Sequence, residues 1–535
     1  MAFLTGIRIC SSQEMREIDQ IAEREYNIDT QILMENAGKS FLQVLLDKYP
    51  HAGRTTEILI FAGKGNNAGD SFTLARHLLC LERRVRIFHL NPSNKYVGVT
   101  QKNFEILKHM RAKLTFIETI SDLESFFKSS IGPFTIVDGI LGTGLKGNVD
   151  GIFYDVIEMI NKQKYNEVVS IDIPSGVNGD TGQIHGTSIL ATLTISLGFP
   201  KLGHFLPPGA ARRGDLVNVD ISLPPKFRKE GDQFLLTKAP LSVLIKERDR
   251  YGHKNSFGHT LLIGGSAGRL GAIAMAAQAC HRMGTGLVTV ATWEDCFQTL
   301  FTKLPVETMS IPIKVTENEI EFYKRNLDFY TSIVVGPGLG VSDQGKLIIR
   351  ELLKTYRGPM VIDADALNII SEYKLDEFLR DRQQGTTVLT PHPGEMARFL
   401  GITREEIQAN PIQAVKQAVS KAHATVVLKG AATLIGSPED RLYLNHYPND
   451  GMATAGSGDV LAGMIGGLLG QKMDVFQATL LGIFLHSLAG GLAAKNFGHR
   501  SMTAPDIIDN ISHAFKELKS TSETASFVES CTKLH

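Results

Sequence analysis

Cysteine is scarce in this sequence. The five that occur, Cys10, Cys80, Cys280, Cys296 and Cys531, form no C-x-x-C pair and no cluster at metal-ligand spacing, which argues against a disulfide scaffold and a structural zinc site and suits a reducing compartment. An excess of one charge is lacking too. Lys and Arg number 56 and Asp and Glu 56, so no net field draws the chain toward nucleic acid or an anionic membrane. The expected partners are small molecules. No uninterrupted apolar run reaches membrane-spanning length: the most apolar stretch, residues 479–494, is broken by His486 and several glycines, and only a short apolar start precedes Arg8. A soluble cytoplasmic protein, and a homo-oligomer, are expected.

Hydrophobic residues are plentiful, 43% of 535, enough for a large core, and typical domain sizes lead to roughly two to four domains. The first half alternates apolar strand-like runs (57–61, 84–88, 134–137, 168–171) with amphipathic patterns such as residues 12–25, where Met15, Ile18 and Ile21 repeat at helical spacing. The second half repeats the alternation at 260–263, 286–290, 332–335, 360–362 and 424–428. Such alternation predicts parallel β/α units and an α/β fold. Between the halves, Ser222-Leu223-Pro224-Pro225-Lys226 leads into a charged stretch, the best linker candidate. The division is therefore one domain over 1–225, a linker over 226–239, a second domain over 240–515 and a loose tail over 516–535.

Ligands of open α/β sheets sit beyond the carboxyl ends of the strands, and the loops there carry the candidate chemistry. Gly451 to Asp459 places Gly456, Gly458 and Asp459 before the apolar run 460–465, a helix start at which backbone N–H groups can hold a phosphate and a carboxylate can meet a hydroxyl. By itself such a string can be a helix cap. Gly264 to Ala272 and Gly336 to Gly340 follow two other strands, Thr390 to Glu395 offers His392 and a carboxylate on a stiff loop, and Lys429 to Thr433 sets a lysine and a hydroxyl at a fourth strand end. Each has a bland reading as well: tight turn, structural histidine, solvated lysine.

In this order the loops resemble the ribokinase-like fold, in which the Gly-x-Gly-Asp aspartate is the base. The Thr390-Pro391-His392-Pro393-Gly394-Glu395 loop, with histidine where many sugar and vitamin kinases have asparagine, narrows the resemblance over about residues 240–515 to the dehydratase domain of the NAD(P)H-hydrate repair family. The resemblance implies that a nucleotide phosphorylates the hydroxyl of the hydrated nicotinamide ring and that phosphate then leaves. Asp459 would take the proton, Gly458 and its helix the phosphoryl group with Mg²⁺, and Lys429, Gly430, Ala431, Ala432 and Thr433 the nucleotide, with Ala272, Gly338, His392 and Asp459 lining the hydrate site. The string from Gly451 to Asp459 resembles the bacterial form, which implies ADP as donor.

In the first half, Ala62-Gly63-Lys64-Gly65-Asn66-Asn67-Ala68-Gly69-Asp70 follows the first strand and is not a G-x-G-x-x-G fingerprint. Its paired asparagines suit a pyrophosphate and a hard cation. Asp138 and Asp172 each end a strand, as cation ligand, base or helix cap. This set resembles the epimerase domain of the same family, with Ala68 where glycine is common. The resemblance implies an N-terminal Rossmann-like three-layer α/β/α domain, K⁺ held by Asn67, Asp138 and Ser175, and substrate contacts from Asn66, Asn67, Ala68, Gly69, Asp70, Gly142, Thr143, Gly144, Leu145, Lys146, Gly147, Asn148 and Asp172. Asp172 is the candidate acid or base, with Asp70 its rival. The competing reading is a vitamin-precursor kinase fused to a non-catalytic nucleotide-binding domain.

Overall fold

The computed structural model describes residues 6–130, 132–145, 147–163, 166–316, 319–320, 327–520 and 531–534. It separates into two compact units: an N-terminal one of residues 8–231 joined by Cys531–Leu534, and a C-terminal one that runs on from Asp232 and includes residues 6–7.

The sheet of the N-terminal unit runs, edge to edge, Cys531–Leu534, Asp215–Val219, Leu193–Leu197, Glu167–Ile171, Phe134–Gly139, Glu57–Ala62, Val85–His89, Lys113–Phe116. All neighbours are parallel except the first pair. Alternation along Glu57–Ala62 shows why both faces are covered: Ile58, Ile60 and Ala62 enter one apolar core and Leu59 and Phe61 the other, as a buried parallel strand requires. Strand order reverses at Glu57–Ala62, flanked by Val85–His89 and Phe134–Gly139. The loop after that strand opens the helix Asn66–Cys80, so the paired asparagines stand at the switch point where such sheets bind ligands.

The C-terminal unit has a larger sheet. Its parallel part runs Met309–Ile313, Leu287–Trp293, His259–Ile263, Ser332–Val335, Met360–Ile362, Thr387–Leu389, Thr425–Leu428. An antiparallel ribbon, Ala432–Gly436 and Leu442–His446, extends it. Order reverses at His259–Ile263, again beside a glycine loop.

Two boundaries differ from the sequence-based expectation. Residues 226–239 are not a loose linker: Phe227 is buried in the N-terminal core and Gln233–Leu235 pairs with Leu442–His446. Apolar side chains in a charged stretch gave them something to bury. Nor is 516–535 wholly a loose tail, because Ile507, Ile511, Ala514 and Leu518 form a buried stripe that carries the helix Ala504–Ser520 to its end. Farther on, Cys531–Leu534 adds antiparallel to the open edge of Asp215–Val219.

The helix Val475–Phe497 is long and apolar enough to cross a membrane, but 72% of its most apolar window is buried inside the protein. It packs beside Ser457–Gly470 in one core. That second helix is seated by glycines. A Cβ on Gly463 would stand 2.1 Å from the carbonyl oxygen of Ala276, and one on Gly466 2.1 Å from a methyl of Val334. Gly463→Ala or Gly466→Ala is therefore expected to destabilise the C-terminal unit by about 1–3 kcal/mol. It should also lower turnover, since the helix start carries Asp459; urea unfolding of each variant checks this.

Candidate active sites

At the carboxyl edge of the N-terminal sheet lies a cavity of about 730 Å³. Asn66, Asn67, Asp70, Gly142, Thr143, Gly144, Leu145, Asn148 and Asp172 all line it. Ala68 and Gly69 do not. Ala68 is fully buried in the core, and a Cβ on Gly69 would press on Met34 and Thr100, so these two let the helix Asn66–Cys80 pack. Gly147 is left-handed, with φ 76°, and stands outside the lining; Lys146 lies outside the described residues.

Asp172 is held at φ 64°, a conformation that Asp tolerates better than most residues. Its Oδ1 accepts from Leu197 N at 3.0 Å and from Lys201 Nζ at 2.5 Å. Lys201 is buried, and its ammonium also donates to Leu197 O. His204 fixes the same loop: its Nδ1 accepts from Lys201 N at 3.0 Å, which leaves Nε2–H to donate to Asp172 O at 2.8 Å. Burial, then the neighbouring Lys201, hold the His204 pKa down at about 3, so the ring stays neutral.

Two further carboxyls share this wall. Asp70 is pushed well above the carboxylate range by burial, with Asp172 and Asp19 adding to it. Asp19, on the helix Ser12–Tyr26, rises to about 6, again through burial first and with Asp172 contributing. Lys201 and Asp19 were not among the candidates read from the sequence. Asp19 had a signal, because it follows Met15 by four residues and precedes Ala22 by three, a charge on the buried face of an amphipathic helix.

Asp138 and Ser175 lie beneath the cavity, both buried. The Asp138 carboxylate accepts from Ser175 Oγ at 2.5 Å, Ser175 N at 2.9 Å, Ser170 Oγ at 2.8 Å and Ile140 N at 3.2 Å. Asn67 Nδ2 donates to Leu141 O at 3.1 Å, and Ser175 Oγ lies at the same distance from that carbonyl. Side chains of Asn67 and Ser175 thus meet at one loop carbonyl, and Asp138 joins them through Ser175. The Asp138 carboxylate, the Ser175 hydroxyl and the Leu141 carbonyl offer oxygen, the donor a hard monovalent cation takes, while Asn67 turns its Nδ2 to that carbonyl.

In the C-terminal unit the candidate loops also converge. Gly456, at φ 93°, precedes the helix Ser457–Gly470, and Asp459 stands in its first turn. A Cβ on Gly458 would lie 3.2 Å from Lys429 Nζ, so the lysine faces the same helix start. Lys429 Nζ donates to Asp363 Oδ1 at 2.7 Å and stands 4.0 Å from Glu395 Oε2. Its pKa is raised: burial opposes the charge, and Asp363, Glu395 and Asp459 outweigh that opposition. The lysine belongs to this buried carboxylate cluster and is no freely solvated side chain. Gly430 and Ala431 are exposed beside it, while Ala432 and Thr433 begin the strand Ala432–Gly436 and continue the loop as sheet.

Asp459 is pushed up to about 7, through burial first and then the charge of Asp363, with Lys429 acting the other way. Asp363, buried and further bonded by Thr390 Oγ1 at 2.8 Å, was missed in the sequence. Its sign was a carboxylate directly after the strand Met360–Ile362.

Opposite, a Cβ on Gly338 would lie 3.3 Å from the Ala272 Cβ and 2.5 Å from Arg269 O. Asp365 Oδ2 ties this wall together by accepting from Gly340 N at 2.8 Å and Arg269 Nη1 at 3.3 Å. His392 is the N-cap of the helix Pro393–Leu400: Nδ1 accepts from Gly394 N at 2.9 Å, and Glu395 Oε2 accepts from His392 N at 2.8 Å. The ring is half exposed, and burial followed by Lys429 keeps its pKa low. A neutral ring with Nδ1 as acceptor carries its proton on Nε2, which stands 3.3 Å from Glu395 Oε1. Asp363, Glu395 and Asp459 set carboxyl oxygens around the Lys429 ammonium, and oxygen is the donor a divalent cation shared with nucleotide phosphates takes.

Residues 260–513 match a family profile described as NAD(P)H-hydrate dehydratase, and residues 30–203 one described as YjeF-related protein N-terminus. A bifunctional NAD(P)H-hydrate repair enzyme of Moorella thermoacetica is 37% identical over 96% of this chain and 98% of its own length. The enzyme of the same description from Coxiella burnetii is 35% identical over 94% and 98%. Among solved structures, an ADP/ATP-dependent NAD(P)H-hydrate dehydratase from Bacillus subtilis, co-crystallised with ATP and Mg²⁺, is 26% identical over 53% of this chain and 97% of that one, with a TM-score of 0.44.

Proposed function

This chain belongs to the family of bifunctional NAD(P)H-hydrate repair enzymes, and on that premise we infer that its N-terminal unit interconverts the R and S hydrates of NADH and NADPH while its C-terminal unit dehydrates the S form. The observation that carries the reading is the convergence of Asp459, Gly458 and Lys429 at one helix start. A carboxyl near pKa 7 is half ionised at neutral pH and matched to accept a hydroxyl proton. The helix start and Lys429 offer positive charge to the transferring phosphoryl group.

Dehydration then follows from leaving-group chemistry. Asp459 takes the proton of the ring hydroxyl as its oxygen attacks the terminal phosphorus of ADP, releasing AMP. The phosphate ester next leaves under the push of the ring nitrogen's lone pair, and loss of the neighbouring proton restores the dihydronicotinamide. Mg²⁺, held by nucleotide phosphates with Asp363 and Glu395, would offset phosphoryl charge. Gly430 to Thr433 would receive the nucleotide. Ala272, Gly338 and His392 would bound the hydrate.

In the N-terminal cavity Asp172 is the base, its Oδ1 held by Lys201 Nζ and Leu197 N. K⁺ on Asn67, Asp138 and Ser175 would fix the loop at Leu141 against the ligand's pyrophosphate. Exchange of K⁺ for Li⁺ is then expected to slow R-hydrate conversion and spare use of the S hydrate, as separate assays of each isomer would read. A cytoplasmic location and a homo-oligomeric state belong to the same proposal.

Stoichiometry tests the donor. With ADP and the S hydrate, one AMP and one phosphate should appear for each NADH recovered. NADH recovered without AMP, or AMP formed without NADH, would reject it. The vitamin-precursor kinase reading would leave AMP formation dependent on some other alcohol.

A further inference from the structure

The wall of the N-terminal cavity holds four carboxyls, Asp19, Asp70, Asp150 and Asp172, and Lys201 bonds only Asp172 among them. Asp172 is therefore the one supplied with donors. Asp19 lines the same cavity, yet its Oδ1 is buried with no hydrogen-bond partner among the described residues. An ionised oxygen left buried and unpaired is costly. A protonated carboxyl removes that cost and holds a proton ready to donate.

We propose that Asp19 is the proton donor of the N-terminal reaction, paired across the cavity with Asp172 as the base. The proposal rests on the epimerase reading of this unit. The Asp19 carboxyl gives its proton to the hydroxyl of the R hydrate as the ring carbon–oxygen bond breaks. The ring nitrogen's lone pair forms a C=N bond to that carbon, and water leaves. A water then adds to the opposite face, its electron pair forming the new carbon–oxygen bond and the C=N pair returning to nitrogen. Asp172 takes the proton that this water loses. Solvent in the open cavity removes the proton from Asp172 and restores that of Asp19, so no oxidant or reductant enters.

The division of labour follows from the surroundings. Two carboxyls in one site act as acid and base when their environments separate their proton affinities. The charged groups on the wall around Asp19 are Arg16, Lys64, Asp70, Asp150, Asp172 and Lys201. Burial and the charge of Asp172 keep Asp19 protonated up to about pH 6, while Asp172 has a buried ammonium at 2.5 Å.

The test compares wild type with Asp19→Asn and Asp19→Glu in the full chain. Its readouts are R-hydrate conversion with ADP present, its pH profile, use of the S hydrate, and binding of NADP⁺ to the N-terminal cavity by calorimetry in an Asp459→Asn background. Asp19→Asn should lower R-hydrate conversion by about 100-fold or more and leave S-hydrate use and NADP⁺ binding within about twofold, a ratio worth less than half a kcal/mol. The wild-type fall in rate toward high pH should vanish in Asp19→Asn and persist in Asp19→Glu. Conversion by Asp19→Asn at near wild-type rate would overturn the proposal, as would loss of NADP⁺ binding in step with activity, which marks a structural role. Wild type that consumes the S hydrate but never the R hydrate would instead overturn the epimerase reading itself.

Discussion

Asp459→Asn is expected to stop recovery of NADH from its S hydrate, lowering the rate by about 10²–10⁴, while the interconversion of R and S forms continues. The substitution keeps the shape and removes the proton acceptor at the start of Ser457–Gly470. Wild-type dehydration should rise with pH through about 7, because burial and Asp363 hold the base protonated below that. The same shift has a stability consequence of opposite sign. The folded-state pKa lies above the ordinary 3.8, so between these values the folded chain binds more protons than the unfolded one, and stability falls as pH rises. An inactive Asp459→Asn protein that melts higher than wild type at pH 8 is thus expected, by roughly 2–4 °C per kcal/mol relieved. Scanning calorimetry at pH 5 and pH 8 reads the difference, which should shrink at the lower pH.

Asp172→Asn carries the second large effect. R-hydrate use should fall to the spontaneous rate of isomer exchange, and S-hydrate use should survive, since the C-terminal site does not depend on this carboxylate. Asparagine tolerates the left-handed backbone at φ 64°, so the loop can keep its course. What is lost is the partner of Lys201, a buried ammonium, and breaking a buried pair from one side costs about 3–5 kcal/mol. The N-terminal unit should therefore unfold at lower urea while still binding NADP⁺ at low denaturant. A variant that used the R hydrate as fast as wild type would return the role of base to Asp70.

Strand ends were legible because parallel strands buried on both faces read as short apolar runs. Glu57–Ala62, Phe134–Gly139, His259–Ile263 and Thr425–Leu428 all stand where such runs predicted them. Glycines at the switch points were legible too, since little else fits a turn like Gly338, where a Cβ would meet Arg269 O at 2.5 Å. The roles of Asp363, Lys201 and Asp19 were not, for a common reason, although the strand-end place of Asp363 and the helix face of Asp19 were. Each is defined by what it faces across the fold: Lys429 for Asp363, Asp172 for Lys201, an unpaired oxygen for Asp19. A sequence pattern records a residue's own period and turn, and pairings between distant loops leave no mark on either. Lys429 shows the converse, because its strand-end place was read correctly while its carboxylate partners became visible only once Met360–Ile362 and Thr425–Leu428 lay in one sheet.

One incubation tests the two-site account most directly: an equal mixture of R and S NADH hydrates with ADP and Mg²⁺, followed by the absorbance of NADH. The account predicts recovery of both isomers by wild type faster than spontaneous exchange allows, and a rapid phase limited to the S half with Asp172→Asn. No NADH from either isomer, with ADP or with ATP, would contradict it.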